Sequence, residues 1–252
     1  AHLKEILQEF ILKGLSQNDE NFISRIYADG IDKYIQRLAS ISFKNLECVL
    51  DAGCGYGQWS LGLASLNREV FACDVSDIRI RFLSEVAKKN NIQNIKTAIS
   101  SIEVLPYESN SFDAVFCYGV ILVSDWKKSL TEMTRVLKPG GKLYLNANGI
   151  GWYVFLWNTE HNKTKDYDPR TVVAKTFIDT VAYEKTSLHE VNTQIIIDKA
   201  QLIYEMHRIG YTTLDGNEGT IHTSRDGPEP KPLLLGEYGG ESALHFNFMY
   251  IK

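Results

Sequence analysis

Several functional classes are excluded by what this sequence lacks. No apolar run approaches the roughly 18 residues that would cross a bilayer, so no membrane partner is expected. The first ten residues, AHLKEILQEF, carry charges where a signal peptide has its apolar core, and a cytoplasmic protein is expected. Positive charge is not in excess: 27 Lys and Arg face 31 Asp and Glu, a formal net charge of −4. Nucleic-acid-binding domains usually present a strongly basic face, so no nucleic-acid partner is expected. The four cysteines, Cys48, Cys54, Cys73 and Cys117, form no C-x-x-C pair, which argues against a zinc or thioredoxin-like site. Each lies in or beside an apolar run and reads as a small, buried, reduced thiol; no metal is expected. Internal repeats and low-complexity tracts are also missing.

What remains is an ordinary globular composition, 44% apolar and 23% charged over 252 residues, sufficient for one α/β domain with insertions. Residues 3–15 have apolar positions at helical spacing, and a polar break follows at 16–20. Residues 21–41 read as one or two further amphipathic helices. From Glu47 the pattern alternates. CVLDAG, VFACDV, IKTAI, FDAVFCYG and KLYLNAN read as strands, with helices at 57–67, 77–90 and 126–137. Lys138, Pro139, Gly140 and Gly141 are expected to stop the last of these and turn the chain. Short apolar strands alternating with helices imply a parallel sheet covered on both faces. Residues 150–197 interrupt the rhythm with an aromatic start, GIGWYVFLWN. A helix at 198–209, a strand at YTTL, a Gly- and Pro-rich loop at 216–240 and a closing strand, HFNFMYIK, complete the reading.

The most specific signal is VLDAGCGYG, residues 49–57, where a buried strand runs into Gly53-x-Gly55-x-Gly57 before a helix. Glycines suit a sharp turn whose backbone a ligand must approach closely. Asp74 ends the second strand, where a carboxylate can accept both hydroxyls of a ribose. A dinucleotide enzyme would share these features, but the spacing here is not the G-x-G-x-x-G of pyrophosphate-binding turns. Asp51, just before the turn, would repel a pyrophosphate and suits a ligand with ammonium and sulfonium charges.

These motifs resemble those of the class I S-adenosylmethionine-dependent methyltransferases. VLDAGCGYG is similar to their first motif and FACDVS to their second-strand acid. SIEVLPYESNSFDAVFCYGVIL and EMTRVLKPGGKLYL resemble the stretches through their fourth and fifth strands, in family order. The resemblance implies a seven-stranded, mostly parallel Rossmann-like α/β sheet with helices on both faces and an antiparallel last strand. It implies a single domain over 1–252: an N-terminal helical cap at 1–45, a cofactor-binding half at 46–149, a substrate-cap insertion at 150–197, and a C-terminal helix and strands at 198–252. The implied cofactor is S-adenosyl-L-methionine, with S-adenosyl-L-homocysteine as product. Asp51 would hold its methionine end, directly or through water, while Gly53, Gly55 and Gly57 would form the turn beneath and Asp74 would bind the ribose. Val75 would pack on the adenine, Ile102 would meet its edge through the backbone, and Tyr118 would offer a carbonyl to the ammonium. Many members carry an Asp where this chain has Ser101, so a side-chain contact to adenine is not expected there. Asp125 reads as a helix N-cap and Asp113 as structural.

The expected reaction is in-line methyl transfer to an O or N atom of a small molecule, with a base only where the acceptor must lose a proton. No histidine follows the fourth strand, and no acidic cluster stands there to hold magnesium. Candidate bases are His161, His189, His222, His245, Tyr27 and Tyr153, with His189 favoured for its place in the expected cap. Tyr27, Trp152 and Tyr153 are the candidate substrate-binding residues; Phe155 and Trp157 join Trp152 and Tyr153 either in lining an apolar pocket or in anchoring the cap. Arg170, Lys175, Arg208, Arg225 and Lys231 either converge on an anionic acceptor or form a solvated face. A monomer or homodimer is expected. Two alternatives are an NAD(P)-dependent oxidoreductase and an inactive cofactor-binding partner subunit.

Overall fold

A computed structural model of the chain describes residues 3–191, 193–217 and 245–252. Three helices come first: α1 (Leu3–Leu12), α2 (Gln17–Ile26) and α3 (Asp32–Ser40). The polar stretch at 16–20 belongs to α2, because Ser16 caps it by accepting a hydrogen bond from the Asp19 amide at 3.1 Å. Then follow β1 (Cys48–Ala52), α4 (Gln58–Leu66), β2 (Glu69–Asp74), α5 (Asp77–Lys89), β3 (Ile95–Ile99) and β4 (Phe112–Tyr118). The remaining elements are α6 (Trp126–Val136), β5 (Leu137–Asn148), α7 (Ile150–Thr159), α8 (Pro169–Thr186), α9 (Lys199–Arg208), β6 (Thr212–Asn217) and β7 (His245–Ile251). Side-chain oxygens of Asp168 and Asp198 accept backbone amides at the starts of α8 and α9.

The chain divides into two compact units, residues 1–116 with 135–141, and residues 117–134 with 142–252. The first has an α/β fold of Rossmann type. Its strands run in the order β3-β2-β1-β4 and all pairs are parallel. The chain moves outward from β1 to β3 and then returns to the other side of β1, a reversal that in such sheets opens a crevice at the carboxyl ends of the strands. Asp51 and Asp74 stand at those ends on neighbouring strands, with Asp51 opposite Ala72 and Asp74 opposite Ile99. β1 is buried beyond its first residue, as its unbroken apolar run requires. Phe10 and Ile23 of the N-terminal helices share one core with Tyr56, Phe82 and Leu83.

The second unit contains β7 paired antiparallel with both β5 and β6. α7 and α8 pack through Tyr153, Leu156 and Val173. One local expectation needs correction. Helix α6 ends at Val136, and Lys138 to Gly141 lie inside the span of β5 instead of forming a separate turn. Gly140 has φ 76°, so the strand begins irregularly, and its pairing with β7 starts only at Lys142. Among the described residues, no helix is long and apolar enough to cross a membrane. The 216–240 loop lies outside the described residues beyond Asn217.

Candidate functional site

The turn after β1 is made by backbone conformations that side chains oppose. Gly53, Gly55 and Gly57 have φ of 82°, 55° and 87°, all left-handed. At Gly57 a Cβ would also collide with the Leu83 side chain, whereas at Gly55 a Cβ would meet nothing within 4 Å. The turn is held by its own amides. Those of Gly53 and Cys54 donate to the Cys73 carbonyl at 2.9 and 2.8 Å, and that of Gly57 donates to the Cys54 carbonyl at 2.9 Å. Gly57 then caps α4 with no side chain on the helix's first amides, leaving a positive helix end at the turn.

Two buried carboxylates flank this turn. Asp51 is 1% exposed and accepts a 2.5 Å hydrogen bond from the Ser60 hydroxyl. Burial raises its pKa to about 7; the Ser60 bond opposes that rise and the nearby Asp74 charge adds to it. Asp74 is 5% exposed. One of its oxygens accepts the Gly55 amide at 3.0 Å, the other accepts the Ser76 amide at 2.9 Å, and Arg79 stands 3.7 Å away. Each carboxylate oxygen has a second lone pair, so these bonds leave acceptor capacity. Beyond Asp74, Val75 is 68% exposed, an apolar side chain presented to open space. Ile102 is buried, and the Ser101 hydroxyl accepts the Glu103 amide at 3.1 Å, so it is engaged in its own loop. Arg135 holds the following stretch through the carbonyls of Tyr107 and Leu105, at 2.7 and 3.0 Å. Asp113 bonds the Cys48 amide and the Lys138 ammonium, a structural use that lowers its pKa despite partial burial.

Tyr27 does not offer a free hydroxyl. It donates at 2.7 Å to the carbonyl of Tyr56, inside the glycine turn, and burial pushes its pKa up. A phenol held protonated on a backbone carbonyl is not a general base. Sequence reasoning missed this bond, the Ser60 bond to Asp51, and the placing of Arg79 both near Asp74 and over the Tyr56 ring at 5.6 Å. Ser60 carries a weak signal, one turn into the helix after the glycines; the other two carry none, since nothing local links α2 to residue 56.

In the second unit, Tyr118 ends β4, and the next residue, Gly119 (φ 67°), donates its amide to the Asn146 carbonyl at 3.1 Å. Trp152 and Tyr153 lie on α7 in the small core shared with α8. Tyr153, Val154, Trp157, Val173 and Phe177 line an apolar depression of about 210 Å³. The Tyr153 hydroxyl is buried without a hydrogen-bond partner of good geometry; burial raises its pKa to about 12, and the Asn148 amide nearby opposes this.

His189 is half-buried. Its Nε2 lies 3.2 Å from the Thr193 carbonyl and 3.3 Å from the Thr193 hydroxyl, and its ring meets Tyr183 edge-on. Tyr183 donates at 3.0 Å to Asp125, which also accepts the Lys128 amide at 3.4 Å, the capping bond expected of it. His161 is exposed beside Trp152 and Phe155.

Each of the described candidate cations pairs with a nearby carboxylate. Arg170 pairs with Glu160 at 3.1 Å, Lys175 with Asp179 at 2.6 Å, and Arg208 with Glu205 at 2.7 Å. His222, Arg225 and Lys231 lie outside the described residues, and His245 is described only through its backbone pairing opposite Asn148. Among the described residues, no group of three or more His, Cys, Asp or Glu could hold a metal ion.

Residues 49–141 match the family model described as a methyltransferase domain. The ubiquinone/menaquinone biosynthesis C-methyltransferase UbiE of Rickettsia akari is 37% identical over 119 residues, covering 44% of this chain and 46% of that protein. The demethylmenaquinone methyltransferase of Bacillus cytotoxicus is 28% identical over 149 residues, covering 51% of this chain and 63% of that one. The chain thus spans about half the length of these curated relatives. Among solved structures, the PH0226 protein of Pyrococcus horikoshii superposes with a TM-score of 0.62 at 18% identity, over 94% of this chain and 99% of that one, a likeness of fold.

Proposed function

We propose that this protein, whose residues 49–141 match the model of a methyltransferase domain, transfers the methyl group of S-adenosylmethionine to a small-molecule acceptor. The observation that carries the proposal is the turn itself, with three left-handed glycines between two buried carboxylates. The residues fit the cofactor on their own chemistry. Asp51 is a buried acid with one hydrogen bond among the described residues and no cationic partner in contact, an arrangement stabilised by a ligand that brings positive charge. Gly55 faces open space that a Cβ would narrow, and Val75 offers the apolar surface a purine ring would cover.

When bound, S-adenosylmethionine supplies an electrophilic methyl group on a sulfonium. The chain's part is to bind and align. Asp51 would hold the ammonium end, Asp74 the ribose hydroxyls, and the Ile102 backbone with the Val75 side chain the adenine. Alignment in a dry site can account for roughly 7–11 kcal/mol of barrier lowering, so methyl transfer of this kind does not depend on a base. His189, expected as the base, remains the candidate only for acceptors that must lose a proton. Its Nε2 is occupied by Thr193, which leaves Nδ1 to accept that proton. Trp152 and Tyr153 are the candidates for acceptor binding. The relatives named above are called quinone methyltransferases, one of them a C-methyltransferase, so the acceptors to try include quinols beside O and N nucleophiles. With Arg170, Lys175 and Arg208 each paired locally, an anionic acceptor has no support from these residues.

Calorimetric titration of the protein with S-adenosylhomocysteine tests the cofactor. Binding with unit stoichiometry is expected, with no heat from NADH. The reverse result would replace the proposal with the oxidoreductase reading. Transfer of radiolabelled methyl to a panel of acceptors separates an active enzyme from an inactive binding subunit.

A further inference from the structure

We infer that Tyr27 is a positioning residue for cofactor binding: from the end of α2 its hydroxyl clamps the one peptide on which the glycine turn closes. The inference rests on reading that turn as the cofactor site. The peptide between Tyr56 and Gly57 is fixed at both polar ends. Its carbonyl accepts from Tyr27 at 2.7 Å, and its N–H donates to the Cys54 carbonyl at 2.9 Å.

A peptide followed by glycine flips at low cost, because glycine tolerates either sign of φ. The glycines that make the turn possible therefore also make it soft, and a partner from outside is needed to select one orientation. Asp74 performs the same task on the other flank, where it accepts the Gly55 amide. Between them, Tyr27 and Asp74 hold the turn at residues 55 and 56. On this reading Asp74 also binds the cofactor, while the Tyr27 hydroxyl is taken up by its carbonyl bond.

The placement of Tyr27 suits this role. It is the C-cap of α2, its ring packs near Phe82 at 6.5 Å, and the Tyr56 ring meets the same Phe82 edge-on at 5.4 Å. Burial, with the neighbouring Tyr34, Cys54 and Asp51, keeps the phenol protonated, so it donates throughout the neutral range. The N-terminal helices thus do more than cover the sheet: they set the geometry of the turn.

The molecule carries its own control. Tyr34 donates from α3 to the carbonyl of Ile26, also at 2.7 Å and also buried, but that carbonyl belongs to α2 and not to the turn. Tyr27→Phe and Tyr34→Phe each remove one buried phenol–carbonyl bond of the same length. Three measurements are made on both variants: thermal unfolding, calorimetric affinity for S-adenosylhomocysteine, and amide hydrogen exchange over residues 55–60.

Both variants are expected to lose similar, small amounts of thermal stability. Only Tyr27→Phe should weaken S-adenosylhomocysteine, by about three- to tenfold, the range one buried hydrogen bond supports. Only Tyr27→Phe should speed exchange over 55–60, a readout that needs no cofactor. In turnover, its loss should appear in KM for S-adenosylmethionine, with kcat within about twofold. Equal affinity and equal exchange in the two variants would overturn the inference. Failure of the unaltered protein to bind S-adenosylhomocysteine would instead overturn the reading of the turn; faster exchange in Tyr27→Phe alone would then still show the clamp, but not its purpose.

Discussion

The glycine turn and the α7–α8 pair are built on opposite principles. In the turn, the amides of Gly53, Cys54, Gly55 and Gly57 and the carbonyls of Cys54 and Tyr56 all have partners, two carboxylates are buried, and side chains are excluded by conformation at three positions. In the α7–α8 pair, contact is made by apolar and aromatic side chains, a phenol is buried without a partner, and Ile150, Trp157, Phe177, Ile178 and Val181 remain exposed. The first arrangement tolerates little change, because hydrogen bonds are directional and a Cβ has a definite volume. The second is held by non-directional burial and accommodates substitution. A cofactor held at this turn would therefore meet strict requirements, while the α7–α8 surface can accommodate substitution.

The largest effect should come from Gly57→Ala. A left-handed φ together with overlap on Leu83 should destabilise the fold by about 2–4 kcal/mol in denaturant unfolding. Gly55→Ala sharpens the point. It has the same strained φ but open space around it, so stability should fall by only about 1 kcal/mol while S-adenosylhomocysteine affinity falls tenfold or more. Equal stability losses in the two would break the distinction between a packing glycine and a ligand-facing one.

Next comes Asp74→Asn. Loss of a charged acceptor should weaken S-adenosylhomocysteine by about 1.5–3 kcal/mol in calorimetry, while the Gly55 amide can still be accepted by the amide oxygen. An unchanged affinity would remove Asp74 from the site.

The pH dependence of Asp51 is smaller but has a definite sign. Burial lifts its pKa to about 7 in the folded protein, against about 4 for an ordinary aspartate. The folded state therefore holds more protons between about pH 4 and 7, and this group's contribution to stability falls as pH rises through that window and levels above it. Asp51→Asn should remove that slope. The ammonium of S-adenosylhomocysteine favours the ionised carboxylate, so its affinity should rise with pH up to about 7 and then flatten.

The smallest effect is expected of Tyr153→Phe. It removes a buried hydroxyl without a partner and should be neutral or stabilise by up to about 1 kcal/mol, with cofactor affinity unchanged. A clear loss of stability would show that the Asn148 contact is a real bond.

Much of the parallel half was legible along the chain. β3 occupies IKTAI as expected, and β1, β2, β4, α4 and α5 fall within a residue or two of their expected ends, because short buried strands and glycine punctuation are local signals. The start of α2 was misplaced because Ser16 reads equally as a loop residue until its capping bond is seen. The start of β5 was misplaced because Pro139 and two glycines look like a turn, and only the residues from Lys142 onward take up pairing with β7. At the site, Asp51, Asp74 and the glycines were legible from type and order. The engagement of Tyr27 with residue 56, and of His189 with Thr193, was not.

By itself the sequence determined where the backbone must bend to the left and which acids close the two neighbouring strands, because glycine's freedom and a strand's apolar run act over a few residues. Only the tertiary structure decided which hydroxyl clamps that bend and which acid loses its water. Those outcomes depend on distances between segments far apart in the chain, and no local pattern encodes such distances.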